Sequence, residues 1–140
     1  VLILIQIVIG AFVSGMDAGK IYNSWPLMGN TYFPNDNNVE NLFKLSAFSD
    51  PSLVQFIHRN LAYLIGLFYV FMLFKVYKNK IIKLYRPVNI LGFFIILQIV
   101  LGIFTVVLGA QIYIAAVHQV SSIFLVISSI YFFFINTRTN

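Results

Sequence analysis

The sequence predicts an all-α fold: a polytopic membrane protein whose helices form a four-helix transmembrane bundle. Of its 140 residues, 60% are hydrophobic and only 9% are charged, with a mean hydropathy of +0.90. Soluble domains carry about 25% charged residues, so this composition does not suit a water-exposed surface. Four apolar stretches lie between polar breaks, and they lack the alternation of apolar and polar residues that is typical of barrel strands.

The first apolar stretch covers residues 1–16, and the second covers residues 53–74. A complete span takes about 17 to 25 residues, so we interpret the first as a truncated helix and the chain as a fragment. The second stretch follows Asp50, Pro51 and Ser52. We expect Asp50 or Ser52 to cap this helix and Pro51 to occupy its first turn.

The third stretch, residues 88–108, follows Arg86 and Pro87, and the fourth covers residues 114–135. Between the second and third stretches, residues 75–87 hold five of the nine basic residues and no acidic residue. The positive-inside rule therefore predicts a cytoplasmic loop here, or a matrix-facing one in a mitochondrion.

Residues 17–52 then form an extracytoplasmic loop, which carries all four acidic residues. Its aromatic residues and prolines favour a lid at the membrane interface, and a plain connector is the alternative. The chain has no cysteine, which excludes structural disulfides, thiolate metal sites, iron–sulfur clusters and covalent heme attachment.

An internal repeat relates the first and third stretches. Residues 6–12, QIVIGAF, recur as residues 98–104, QIVLGIF, with five identities in seven positions. Each copy begins a helical pair, and the second helix of each pair carries a histidine near its start. Two-helix units enter the membrane from the same side, so we expect a parallel repeat about an axis along the membrane normal.

The histidines of these two pairs, His58 and His118, are the only histidines in the chain. His58 is the sixth residue from Leu53 and His118 the fifth from Ile114, which predicts depths of about 6 to 8 Å. Ionisable residues within membrane spans are costly and indicate function, although each could instead be an interfacial residue bonded near a helix end. No apolar stretch contains Asp or Glu, so the two imidazoles cannot complete a zinc site.

Heme supplies its own equatorial nitrogens and requires only axial ligands from the protein. We therefore expect His58 and His118 to be the axial ligands of one heme iron, each with its other ring N–H bonded to an acceptor. Arg59 follows His58 at the outer surface. It suits a cation for the heme propionates, or one that reaches lipid headgroups.

Three motifs carry a resemblance to a known family. Residues 10–19, GAFVSGMDAG, continued by residues 22–28, YNSWPLM, resemble the segment after the fifth helix of heme A synthase of the mitochondrial and alphaproteobacterial type. Residues 54–59, VQFIHR, and residues 116–119, AVHQ, resemble the starts of its sixth and eighth helices. The resemblance covers nearly the whole chain.

The resemblance implies the C-terminal half of an eight-helix, pseudo-symmetric protein, with residues 1–140 as a single half-domain. The family oxidises the C8 methyl group of heme O to the formyl group of heme A, for cytochrome oxidase assembly. The resemblance further implies that the N-terminal half holds the substrate heme and the C-terminal half a bis-histidine heme b. Members carry a Glu three positions before the first histidine of the substrate half, and this chain has Gln55 there.

The resemblance thus implies an oxidoreductase in which the catalytic residues lie in the missing half, so that the fragment alone is inactive. Expected partners are the N-terminal half, heme O and heme A, membrane lipid and an unidentified electron donor, but no nucleic acid. Association with a second copy of the chain stays open. Expected locations are the bacterial or the mitochondrial inner membrane. Two other functions stay open: a self-contained cytochrome b type electron carrier, and a heme-free structural bundle.

Overall fold

The computed structural model describes residues 1–138. It contains four α-helices: α1 (Leu2–Gly15), α2 (Pro51–Lys78), α3 (Ile82–Val107) and α4 (Ile112–Thr137). Three short 3-10 helices lie between α1 and α2, at Ala18–Lys20, Val39–Phe43 and Leu45–Ser49. Residues 1–138 form no β-strand, which confirms the all-α prediction.

Helices α2, α3 and α4 are long and apolar enough to cross a membrane. Their 28, 26 and 26 residues correspond to about 39 to 42 Å, compared with about 30 Å for the hydrocarbon core. Helix α1 has 14 residues, or about 21 Å, and is too short to span the core alone. The protein is therefore a helical membrane bundle.

The four helices pack in a ring. Helix α1 contacts α2, α2 contacts α3, α3 contacts α4, and α4 returns to α1. Over the described residues α2 and α4 make few contacts, so they occupy diagonal corners of the bundle. The two histidine-bearing helices thus lie across the bundle from each other.

The prediction for the start of α2 is confirmed. Asp50 is the N-cap residue, and its Oδ1 accepts a hydrogen bond of 3.0 Å from the backbone N–H of Leu53. Pro51 occupies the first helical turn, where its missing N–H would have had no helical partner. The helix therefore begins two residues before the apolar stretch that predicted it.

Residues 75–87, expected to form a loop, are helical except at residues 79–81. Helix α2 continues to Lys78, and α3 begins at Ile82 and contains Pro87. A membrane helix does not have to end where the hydrocarbon ends, because lysine and arginine are good helix formers whose charged ends reach the interface. Pro87 removes only its own N–H from the helical hydrogen bonds.

The basic residues of this region lie at one end of the bundle. Lys75 and Lys78 are in the last turn of α2, Lys83 and Arg86 are near the start of α3, and Arg138 follows α4. Antiparallel connections place these three helix ends on the same side, in agreement with a single cytoplasmic or matrix face.

Cysteine labelling tests this topology, since the chain has no cysteine of its own. We expect Asn79→Cys to react with an impermeant maleimide only after the membrane is opened. Glu40→Cys, in the exposed segment before α2, is expected to react in intact cells or spheroplasts. Preferential labelling of Asn79→Cys from outside would reverse the orientation.

The repeat also appears in the backbone. Helix α1 ends at Gly15 with Met16 as C-cap, and α3 ends at Val107 with Leu108 as C-cap. Asp17 and Gly109 each lie seven residues after the repeated glycine, and both have a left-handed backbone, with φ of 52° and 71°. The first helix of each pair thus ends at an equivalent position of the repeat. The two pairs then differ, because residues 16–50 connect the first pair and residues 108–111 the second.

Candidate functional site

His58 and His118 lie at similar depths in the bundle. His58 is the eighth residue of α2 and His118 the seventh of α4, about 9 to 11 Å from the helix starts. This is deeper than the predicted 6 to 8 Å, because both helices begin two residues earlier than their apolar stretches. The depths remain matched, and both side chains are partly buried.

A glycine of the preceding helix lies against each imidazole ring. A Cβ atom built onto Gly10 would lie 3.1 Å from Cε1 of His58, and one on Gly102 would lie 3.3 Å from Cε1 of His118. Both distances are shorter than ordinary van der Waals contact. Each ring therefore occupies space that any larger residue at the glycine position would enter.

A glutamine one helical turn before each glycine bonds to the same histidine. Nε2 of Gln6 donates to the backbone carbonyl of His58 at 3.0 Å, and Nε2 of Gln98 donates to that of His118 at 3.3 Å. The sequence repeat showed both glutamines and both glycines, but it did not reveal their contacts with the histidines. The structure thus builds the same histidine environment twice.

The ring nitrogens define what this arrangement can hold. Nδ1 of His58 and Nδ1 of His118 are buried, and neither has a hydrogen-bond partner among the described residues. The acceptor that we expected for the second ring N–H of each histidine is therefore not observed. Residues 1–138 contain no cluster of three or more His, Cys, Asp or Glu side chains that would hold a metal ion. Two matched imidazoles on diagonal helices fit a group such as heme, which takes only two ligands from the protein.

Arg59 points to the segment that connects α1 and α2, residues 16–50, which we call the outer segment. Its Nη1 donates to the carbonyl of Ser24 at 2.9 Å and to that of Leu27 at 3.3 Å, and its Nη2 donates to the carbonyl of Tyr22 at 2.9 Å. Its role at a heme stays a prediction, whereas its contacts with residues 22–27 are direct.

Gln55 lies one helical turn before Arg59 and faces the same segment. Its side chain is only 2% exposed, and its Nε2 donates to the carbonyl of Tyr22 at 3.1 Å. Sequence reasoning identified Gln55 only as a replacement for a glutamate. The spacing of four residues between two polar side chains was the signal that they share a helix face.

The outer segment is folded onto the start of α2. The indole N–H of Trp25 donates to the hydroxyl of Tyr63 at 2.9 Å. The hydroxyl of Tyr22 donates to Asp36 at 2.9 Å, and Ser52 also donates to Asp36. These bonds, together with those of Arg59 and Gln55, give the segment the character of a lid rather than of a plain connector.

The pKa values of the lid follow from these contacts. Partial burial, the hydrogen bond to Asp36 and the negative charge of Asp36 all raise the pKa of Tyr22 above its ordinary value. Partial burial acts to raise the pKa of Asp36, but the hydrogen bonds donated by Ser52 and Tyr22 outweigh it and hold that pKa below its ordinary value. The carboxylate form of Asp36 is therefore the form that the lid stabilises.

Residues 1–130 match the family model described as cytochrome oxidase assembly protein. The chain is 44% identical over 139 residues to heme A synthase of Pelagibacter ubique and 46% identical over 132 residues to that of Wolbachia pipientis. These alignments cover 99% and 94% of the chain. The chain spans only 40% and 36% of the length of these relatives. No solved structure matches it significantly.

Proposed function

This chain belongs to the family of cytochrome oxidase assembly proteins, and on that premise we propose that it is the C-terminal, heme b-binding half of a heme A synthase. The complete protein would oxidise the C8 methyl group of heme O to the formyl group of heme A. The names of the similar proteins and the partial coverage of their length support this proposal. The observation that carries the heme site is the duplicated environment of His58 and His118.

In this proposal the chain binds and orients a cofactor, and the N-terminal half holds the substrate heme. Held by the two histidines, a heme b would supply reversible one-electron transfer. His58 and His118 would hold it as neutral imidazoles, and the apolar helix surfaces around them would exclude water. The lid covers the outer end of α2, which is the end nearer to His58. An electron donor is also required.

An inner-membrane location is supported by the three spanning helices and by the bacterial relatives. The lipid bilayer is the solvent for the apolar side chains on the outside of the bundle. Among these are several that are more than half exposed on α2, α3 and α4, including Leu67, Phe71, Phe93, Ile96, Ile127 and Phe133.

Heme extraction from a suitable host tests the function. The full-length reading frame that encodes this chain is expressed in a bacterium that makes heme O but lacks its own heme A synthase. We expect heme A in the extract, and only heme O when the 140-residue chain is expressed alone. If the full-length protein carries heme b but heme O is unchanged, the electron-carrier function replaces this one. If the full-length protein binds no heme, the heme-free structural bundle replaces the proposed function.

A further inference from the structure

The same pair of side chains is repeated beside both histidines. We propose that Gln6 and Gln98, together with Gly10 and Gly102, are positioning residues that fix the orientation of the His58 and His118 imidazole rings. The inference rests on the proposed function, because it concerns the rings as ligands of a bound heme. It adds residues from α1 and α3 to a site whose ligands lie on α2 and α4.

The glutamines fix the helices at the level of the histidines. Each carbonyl accepts a bond from a glutamine on the neighbouring helix: Gln6 on α1 bonds to His58 on α2, and Gln98 on α3 bonds to His118 on α4. Hydrogen bonds between helices stabilise helix packing within a membrane. They oppose sliding or rotation of the histidine-bearing helix against its partner.

The glycines fix the rings themselves. Each imidazole lies so close to the glycine of the adjacent helix that a Cβ atom there would press on the ring. The contacts from the Gly10 and Gly102 positions are to Cε1, Nδ1 and Nε2 of each ring, between 3.1 and 4.0 Å from a built Cβ. All three atoms belong to the half of the ring that carries both nitrogens.

The two copies differ in one respect that makes the proposal more specific. Nε2 of Gln6 also lies 3.3 Å from Nε2 of His58, so this amide touches the ring. Nε2 of Gln98 instead donates to the hydroxyl of Ser121, which itself donates to the carbonyl of His118 at 2.9 Å. Gln6 thus acts on the ring and the backbone of its histidine, whereas Gln98 acts on the backbone alone.

The test uses the full-length protein, purified with its heme and examined by electron paramagnetic resonance in the ferric state. The largest g value of a low-spin bis-imidazole heme depends on the relative orientation of the two ring planes. We expect Gly10→Ala and Gly102→Ala to shift this g value and to lower heme affinity about 10- to 100-fold, as for other outer-shell partners. Gln6→Met is expected to shift it more than Gln98→Met.

Two glycines of the same bundle provide matched controls. A Cβ built onto Gly15 meets nothing within 4 Å, and one on Gly66 lies 3.9 Å from Cδ1 of Ile99, an ordinary contact. Gly15→Ala and Gly66→Ala should therefore keep the wild-type g values and affinity. If a glycine variant does not fold, Gln6→Met still tests the proposal, because methionine preserves the length of the side chain and removes only its amide.

Wild-type g values and affinity in Gly10→Ala, Gly102→Ala and Gln6→Met would overturn the assignment of these residues while leaving the heme site intact. Absence of any low-spin heme from the wild-type protein would instead overturn the proposed function and this inference together. The two failures are therefore distinguishable from one set of spectra.

Discussion

His58→Ala and His118→Ala are each expected to abolish the low-spin heme spectrum of the full-length protein without preventing membrane insertion. Removal of an axial ligand leaves the iron five-coordinate and high-spin, or releases the heme. The loss of affinity should exceed the about 10- to 100-fold loss that outer-shell partners cause. Insertion should persist, because apolar surface drives it and α2, α3 and α4 keep their apolar lengths.

Absorption spectroscopy measures the spin state, and the pyridine hemochrome assay gives the heme content of the purified protein. Gln119→Ala is the matched control, since Gln119 is the exposed neighbour of His118 and its side chain should not matter to the iron. Unchanged low-spin spectra in both histidine variants would exclude this pair as axial ligands, and other side chains would then have to supply them.

Arg59→Ala is expected to release the lid from the start of α2. The guanidinium donates three hydrogen bonds to carbonyls of residues 22–27. Bonds from a charged donor contribute about 1.5 to 3 kcal/mol each, but this side chain is only partly buried, so we expect a total of about 2 to 4 kcal/mol. That corresponds to about 30- to 1,000-fold faster hydrogen exchange at Met28 and Gly29, whose N–H groups donate to the carbonyl of Thr31 and to the hydroxyl of Ser24.

Hydrogen exchange of the peptide that contains Met28 and Gly29, followed by mass spectrometry, measures this effect. Arg59→Lys should recover only part of the protection, because one ammonium group cannot reach three separate carbonyls as a planar guanidinium does. Lys20→Ala is the control, since Lys20 pairs with Asp17 at 2.8 Å and both side chains are more than half exposed. Unaltered exchange in Arg59→Ala would show that other contacts hold the lid.

The sequence predicted those features that depend on local chemistry or on long apolar stretches. The N-cap at Asp50 follows from a carboxylate followed by proline, and the spanning helices follow from hydropathy alone. Helix starts were less accurate, because polar and basic residues such as Lys83 extend a helix beyond the apolar stretch. A hydropathy pattern locates the hydrocarbon, whereas backbone hydrogen bonds decide where the helix begins.

The site was predicted only in part for a similar reason. The sequence identified the two histidines and the repeated glutamines and glycines. Their contacts depend on how α1 is rotated against α2 and α3 against α4, which no single helix specifies. The partners of Arg59 were missed because they are backbone carbonyls of residues 22–27. Every residue has a backbone carbonyl, so the residue type does not indicate which ones accept a hydrogen bond.

The matching left-handed residues after α1 and α3 have a consequence for how the molecule can vary. Both helical pairs reverse direction at the same register, at Asp17 and Gly109, before their connections become different. The second pair is connected by residues 108–111 alone, so the pairing of the helices does not by itself require a connection as long as residues 16–50. A change in the length of the lid away from its contacts with Gln55 and Arg59 should therefore leave the depth of the two histidines unchanged.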